Sequence, residues 1–159
     1  MIIPFDNVSV EIAENVLCKL LKHEQYYGMY ESGGILLGKR TTDGKKYIIT
    51  EITEQNQFDR SGPLFFIRDR IAAQHIINDL WIESKGLVNY IGEWHTHPCR
   101  NPMPSIIDRV LMQKIFREKS NVWDEAIMII VGQQRSMYVG VFSKSFGGQA
   151  SAETVIGGL

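Results

Sequence analysis

The chain has 159 residues, of which 44% are hydrophobic and 22% charged, and its formal charge is −1. That composition excludes an intrinsically disordered chain, and the lack of excess Lys and Arg excludes a protein held on nucleic acid by bulk charge. The longest apolar runs, Ile35–Leu37, Leu64–Ile67 and Ala126–Val131, fall far short of the ~20 residues needed to cross a bilayer.

The N-terminal residues Met1-Ile2-Ile3-Pro4-Phe5-Asp6 show no basic lead and no long apolar stretch, so no secretory signal is expected. Two cysteines, Cys18 and Cys99, make no disulfide framework. They are expected as free thiols in a reducing, cytoplasmic compartment. At this length one domain over 1–159 is expected, and no linker or repeat divides it.

Val8, Ile12, Val16, Leu17, Leu20 and Leu21 recur at three- and four-residue steps, which predicts a helix over Val8–Lys22 capped by Asn7 or Ser9. Gly33–Arg40 predicts a buried strand. Thr42-Asp43-Gly44 predicts a hairpin turn, with Lys46–Thr53 as the return strand. Gln55–Pro63 predicts a loop and Leu64–Ile67 a short strand. Arg68–Lys85 predicts a second helix with Ile71, Ala72, His75, Ile76 and Leu80 near one side, stopped by Gly86. Leu87–His97 predicts a strand running into Pro98, and Cys99–Pro104 a loop. Ser105–Lys119 predicts a third helix with Ile106, Val110, Ile115 and Phe116 as its apolar positions. Ala126–Val131 and Met137–Phe142 predict two further strands, and Ser143–Leu159 a tail that ends in a short strand or stays mobile. The sum is an α/β domain with a mixed sheet flanked by helices.

The chemistry concentrates in Gly92-Glu93-Trp94-His95-Thr96-His97-Pro98 and in Ser105-Ile106-Ile107-Asp108. Two histidines at i and i+2 on a strand face one side, with Cα atoms ~6.5 Å apart. Two imidazoles at that separation can converge on one ion. Asp108, in the first turn of the next helix, adds a carboxylate. Three protein ligands leave one tetrahedral position open, which is the arrangement of catalytic zinc. Ser105-x-x-Asp108 also reads as a capping box, and the two readings do not exclude each other. Background residue frequencies put a chance match to H-x-H, seven residues, then S-x-x-D at roughly one in several thousand for such a chain.

H-x-H-P, seven residues from Pro98 through Pro104, then S-x-x-D resembles the JAMM motif of the MPN-domain (JAB) zinc metalloproteases. Glu31-Ser32-Gly33-Gly34-Ile35-Leu36-Leu37-Gly38 looks like the family's upstream glutamate and its strand. The resemblance covers roughly residues 8–142. It implies an MPN/JAB domain with a cytidine deaminase-like α/β fold. It also implies that His95, His97 and Asp108 ligate one Zn2+ per chain. Glu31 then serves as general base toward the attacking water, and Ser105 donates a hydrogen bond to the oxyanion.

The implied activity is a peptidase or isopeptidase acting after the C-terminal tail of a ubiquitin-like modifier or its conjugate. Two alternatives stay open: trimming of a sulfur-carrier precursor, and a non-catalytic scaffold. The compact form is similar to the prokaryotic branch, whose members include deconjugating peptidases of anti-phage operons. Partners implied are the modifier's tail and its conjugated target, with no nucleic acid and no membrane. Such a tail can add to a sheet edge, and Gln55–Ile67 and Cys99–Pro104 are candidate flanks, with Arg100 near them.

Glu93 shares the strand face of His95 and is a rival base or a partner that orients an imidazole; Glu31 is preferred on the resemblance. Cys99 reads as a loop residue beside the site, and His23 and His75 as structural or exposed. A cytidine deaminase signature of H-x-E with P-C-x-x-C fails, because Pro98-Cys99 is followed by Arg100-Asn101-Pro102.

Overall fold

A computed structural model describes residues 1–117 and 124–159. In chain order the elements are β1 (Ile2–Pro4), β2 (Ser9–Ile12), α1 (Glu14–Leu20), β3 (Gly33–Arg40), β4 (Lys46–Ile52), β5 (Arg60–Gly62) and β6 (Phe65–Ile67). They continue with α2 (Arg70–Glu83), β7 (Asn89–Thr96), α3 (Ile106–Arg117), β8 (Glu125–Val131), β9 (Met137–Ser143) and β10 (Gln149–Ile156). Short 3-10 turns occupy Leu21–His23 and Lys144–Phe146.

Eight strands form one sheet in the order β1-β2-β4-β3-β7-β8-β9-β10, and β5 and β6 make a separate hairpin. The β2–β4 and β7–β8 pairs are parallel and the other pairs antiparallel, so the sheet is mixed. Helix α3 provides the crossover that the parallel β7–β8 pair requires.

Alternation along the central strands assigns the two faces. Leu36, Ile127, Ile129 and Val131 pack with Val16 and Leu20 of α1 on one face. Ala126, Met128 and Ile130 pack under Met112, Ile115 and Phe116 of α3 on the other. Ile35 and Leu37 sit under Ala73, Ile77 and Leu80 of α2 on that same second face. β8, buried on both sides, reads as the continuous apolar run expected of a covered strand.

Three expectations change. The helix predicted from Val8 begins only at Glu14, after Ala13, and Val8–Ile12 instead leads into and forms β2. Val10 and Ile12 are fully buried while Ser9 and Glu11 are not, so the two-residue alternation of β-branched side chains prevails over the four-residue spacing. On α2 the buried line is Ala73, Ile77 and Leu80, and Ile71 and Ile76 face solvent. Leu80 packs inward as expected, while the rest of the stripe shifts by one residue, because Ile76 and Ile77 serve equally well in the pattern. On α3, Ile106 and Val110 are exposed and Met112 joins Ile115 and Phe116 inside. Glu118 and Lys119, predicted as its last residues, lie outside the described residues. The C-terminal segment takes the strand alternative: β10 pairs with β9 over eight residues. No helix among the described residues is long and apolar enough to cross a membrane.

Candidate active site

β7 delivers the histidines. Its register sets Gly33 opposite His95 and Ile35 opposite Glu93, so Glu93 and His95 face the α2–α3 side of the sheet. Trp94 and Thr96 point the other way, and the Trp94 indole donates to the Thr53 carbonyl at 2.9 Å. His97 continues the ladder past the strand end, its N–H reaching the Val131 carbonyl at 2.9 Å. α3 delivers the carboxylate. The Ser105 N–H donates to Asp108 Oδ2 at 2.7 Å and the Asp108 N–H donates to Ser105 Oγ at 3.3 Å. This is a reciprocal capping box, so the S-x-x-D spacing is a helix start in fact.

The same Asp108 faces both imidazoles. His95 Nε2 and His97 Nε2 are 3.2 Å apart. His95 Nε2 lies 3.3 Å from Asp108 Oδ1, and His97 Nε2 3.6 Å from Asp108 Oδ2. Ligands on a tetrahedral zinc with bonds of about 2.05 Å are separated by roughly 3.3 Å, so the three edges match a tetrahedron's. The group is one that can hold a metal ion. The donor set of two imidazoles and one carboxylate suits a borderline ion.

Electrostatics prepare the ligands. Burial works against the Asp108 charge, but hydrogen bonding and charge from His95, with bonds from Ser105, outweigh it and hold the carboxyl at about 2. Burial, with His95 adding to it, pushes His97 below its ordinary value, which favours the neutral ligating form.

Glu31 sits just before β3, on the rim of the same cleft. Only 7% of it is exposed. Burial raises its carboxyl to about 7, with His95 pulling down and Asp108 pushing up. Glu93 is also buried, yet it is fully engaged. Arg68 Nε donates to both of its oxygens at 3.1 Å, Arg68 Nη2 donates to Oε1 at 2.8 Å, and the Tyr90 hydroxyl donates to Oε1 at 2.9 Å. Those bonds engage both of its oxygens.

The remaining expected residues fall outside the cluster. Cys99 borders the cleft, and burial pushes its thiol up, the reverse of what a nucleophile needs. His23 lies tilted against Trp94 with ring centres 5.0 Å apart, and His75 is exposed on α2. Arg100 is an exposed loop charge; the cations beside the cleft are Arg68, Arg70 and Lys114.

The cleft measures about 770 Å³. Leu64, Phe65, Phe66 and Ile67 form one wall, and Ile107, Val110 and Leu111 of α3 the other. Gly33 permits the closure. A Cβ there would lie 2.5 Å from Phe66 Cδ1 and 2.8 Å from the Trp94 carbonyl oxygen. Only a bare backbone lets the hairpin fold down next to His95.

Fold and cluster together define an α/β protein with an imidazole–imidazole–carboxylate metal-ligand set at the end of a central strand. The chain belongs to the family of prokaryotic homologs of the JAB domain, whose profile matches residues 13–142. It is 40% identical over 104 residues to a "CD-NTase/cGAS isopeptidase" of Escherichia coli, covering 65% of each chain. A protein of the same name from Vibrio cholerae is 29% identical over 82% of this chain and 80% of its own length. A Sinorhizobium fredii protein named "Probable metalloprotease" is 28% identical over 76% of this chain and 73% of its own. The fold is similar to a solution structure of a Desulfitobacterium hafniense protein, with a TM-score of 0.62 at 16% identity, covering 93% of this chain and 90% of that one.

Proposed function

We propose that the chain is a zinc-dependent isopeptidase that hydrolyses the bond after the C-terminal tail of a ubiquitin-like modifier, releasing it from a conjugated protein in the cytoplasm. The observation that carries this reading is the cluster itself: three ligand atoms at tetrahedral separations beside a buried carboxylate that keeps its proton near neutrality. His95, His97 and Asp108 hold the ion. Zinc bound there supplies Lewis acidity toward a carbonyl oxygen and makes water acidic near pH 7.

Glu31 takes the proton of the attacking water and passes it to the leaving amine, a role that suits a carboxyl poised near neutrality. Ser105 Oγ accepts from the Asp108 N–H, which leaves its own proton free to donate to the oxyanion. Glu93, engaged by Arg68 and Tyr90, braces the cleft floor.

The substrate's tail lies extended between β6 and α3. Among the described residues β5 and β6 pair only with each other, so the hairpin keeps an edge to which an extended tail can add. The apolar walls take its side chains. The names of the relatives suggest a conjugated CD-NTase as first substrate, and with it a place in antiviral defence.

The test is cleavage of a modifier–CD-NTase isopeptide conjugate, followed by gel, with metal content by mass spectrometry. Wild type carries about one zinc per chain and cleaves. Asp108→Ala loses both. Glu31→Gln keeps the zinc and loses at least about a hundredfold in rate. Cleavage that survives a strong chelator removes the metal reading, and full activity of Glu31→Gln moves the base elsewhere.

A further inference from the structure

Between the two histidines sits a residue that the chemistry above does not use. Thr96 is fully buried, on the face of β7 opposite the imidazoles. Its hydroxyl does two things. It accepts the Ser32 N–H at 3.0 Å, and it donates to Gln25 Oε1 at 3.0 Å. Ser32 directly follows Glu31. In a regular antiparallel pair that N–H goes to a backbone carbonyl of the partner strand. Here the Thr96 N–H still donates to the Ser32 carbonyl at 3.0 Å, but the return bond runs to the side chain. The chain therefore departs from the sheet just where Glu31 begins.

Gln25 is 2% exposed, and its whole amide is in use. Its Nε2 donates to the Met29 carbonyl at 2.9 Å and to the Pro63 carbonyl at 3.2 Å. Its own backbone carbonyl accepts from Gln133 Nε2 at 3.1 Å. Pro63 lies in the turn between β5 and β6, whose far strand walls the cleft, and the neighbouring Gly62 carbonyl accepts the Glu31 N–H at 2.8 Å. One buried amide thus ties together the segment before Glu31, the cleft hairpin and, through Thr96, the strand that bears both histidines.

We infer that Gln25 and Thr96 are positioning residues for the base: their buried hydrogen bonds fix Glu31 relative to His95 and His97 and couple that distance to the cleft hairpin. This rests on the proposed hydrolytic reading and deepens it. A group misplaced by about 1 Å loses on the order of a hundredfold in rate without any change in its chemistry. An irregular segment such as 24–32 has no ladder of its own to supply that precision, so the side chains supply it. A branched Thr has few rotamers to lose, and neither buried residue contacts the three ligand atoms.

Thr96→Val keeps shape and removes both bonds; Thr96→Ser keeps the hydroxyl; Gln25→Met is an independent probe from the other end. Hydrogen exchange read by mass spectrometry on metal-free and zinc-loaded protein requires no substrate. Thr96→Val and Gln25→Met should exchange at least tenfold faster over residues 25–32, with β8 and β9 unchanged and one zinc retained. Unchanged exchange over 25–32 overturns the brace.

On the modifier–CD-NTase conjugate, Thr96→Val should lose 10- to 100-fold in kcat with KM within twofold, and Thr96→Ser should return to within threefold of wild type. In a Glu31→Gln background Thr96→Val should add less than a twofold loss, because the residue it positions is already gone. A full multiplicative loss there, or unchanged kcat with faster exchange, overturns the positioning role. Failure of the hydrolytic reading looks different: wild type and Glu31→Gln would then cleave alike, while the exchange result still decides the brace.

Discussion

Glu31→Gln should stabilise the metal-free protein at high pH and leave it unchanged at low pH. Burial lifts this carboxyl from its ordinary 4.5 to about 7 in the folded state. Below 4.5 it is protonated whether the chain is folded or not, and it contributes nothing to pH dependence. Between 4.5 and 7 the unfolded chain has released the proton while the folded chain still holds it, so stability falls as pH rises. Above 7 both have released it and the loss is complete. About two and a half pH units at roughly 1.4 kcal/mol each gives a loss of about 3 kcal/mol. Glu31 borders the cleft, where solvent screens part of its charge, so that figure is an upper bound.

Gln matches Glu in shape and carries no charge, so it escapes the loss. His97 titrates in both proteins and drops out of the difference, and Asp108, held at about 2, stays charged in both across this range. Urea denaturation in chelator at pH 5, 6, 7 and 8 should show the Gln variant gaining progressively, by at most about 3 kcal/mol at pH 8. A gain that is equal at pH 5 and pH 8, or a Gln variant less stable at pH 8, refutes the claim that burial of an unwilling charge sets this carboxyl.

Ser105→Ala removes the cap acceptor of α3 and should cost about 1 kcal/mol in urea denaturation; Ser105→Gly, which costs a helix start only a few tenths, should be slowed in cleavage as strongly as Ala if the hydroxyl serves the oxyanion. Glu93→Gln breaks the Arg68 fork and should cost roughly 1–3 kcal/mol by the same assay while zinc content holds at one; lost cleavage at unchanged stability would instead make Glu93 the base. Gly33→Ala places a Cβ against Phe66 and the Trp94 carbonyl and should cost about 1–3 kcal/mol, with a raised KM as the hairpin wall shifts. Zinc at a hundredfold its Kd should stabilise wild type by about 2.7 kcal/mol and Asp108→Ala by nothing, read as a shift in Tm.

Much of the sheet was legible because its strands are buried on both faces and announce themselves as short apolar runs, as in Ala126–Val131. The hairpin from Gly33 to Ile52 was legible through Asp43-Gly44, where Gly44 takes a φ of +71°. What failed was phase. Val8, Ile12 and Val16 satisfy a helical step and Val8, Val10 and Ile12 a strand step, and only the neighbours β1 and β4 decide between them. In the cluster, the i and i+2 histidines and the first-turn Asp108 follow from local geometry. Glu31 does not: its place beside His95 depends on Gly33 pairing with His95 across the sheet, a register no local pattern encodes. The Gln25–Thr96 bonds were invisible for the same reason. A glutamine in an irregular segment has no period to betray it, and its partners are Met29, Pro63 and Thr96.

Glu31 and Glu93 make the point most sharply. Glu93 lies on β7 and Glu31 in the segment leading into the neighbouring β3, and both are buried and border one cleft. By residue type and burial they are equivalent candidates. Their surroundings pull them apart. Glu93 receives two nitrogens of Arg68 and a phenol, so both of its oxygens are already engaged. Glu31 faces His95 and Asp108 with burial as its dominant influence, and so it keeps a proton near pH 7. One carboxyl engaged by fixed donors and one that burial leaves with its proton suit divided labour, one structural and one acid–base. The divider is Arg68, a residue at the end of the cleft hairpin. The hairpin that walls the cleft therefore also neutralises the competing carboxylate, so a change in its position alters substrate binding and the charge of the cleft floor together.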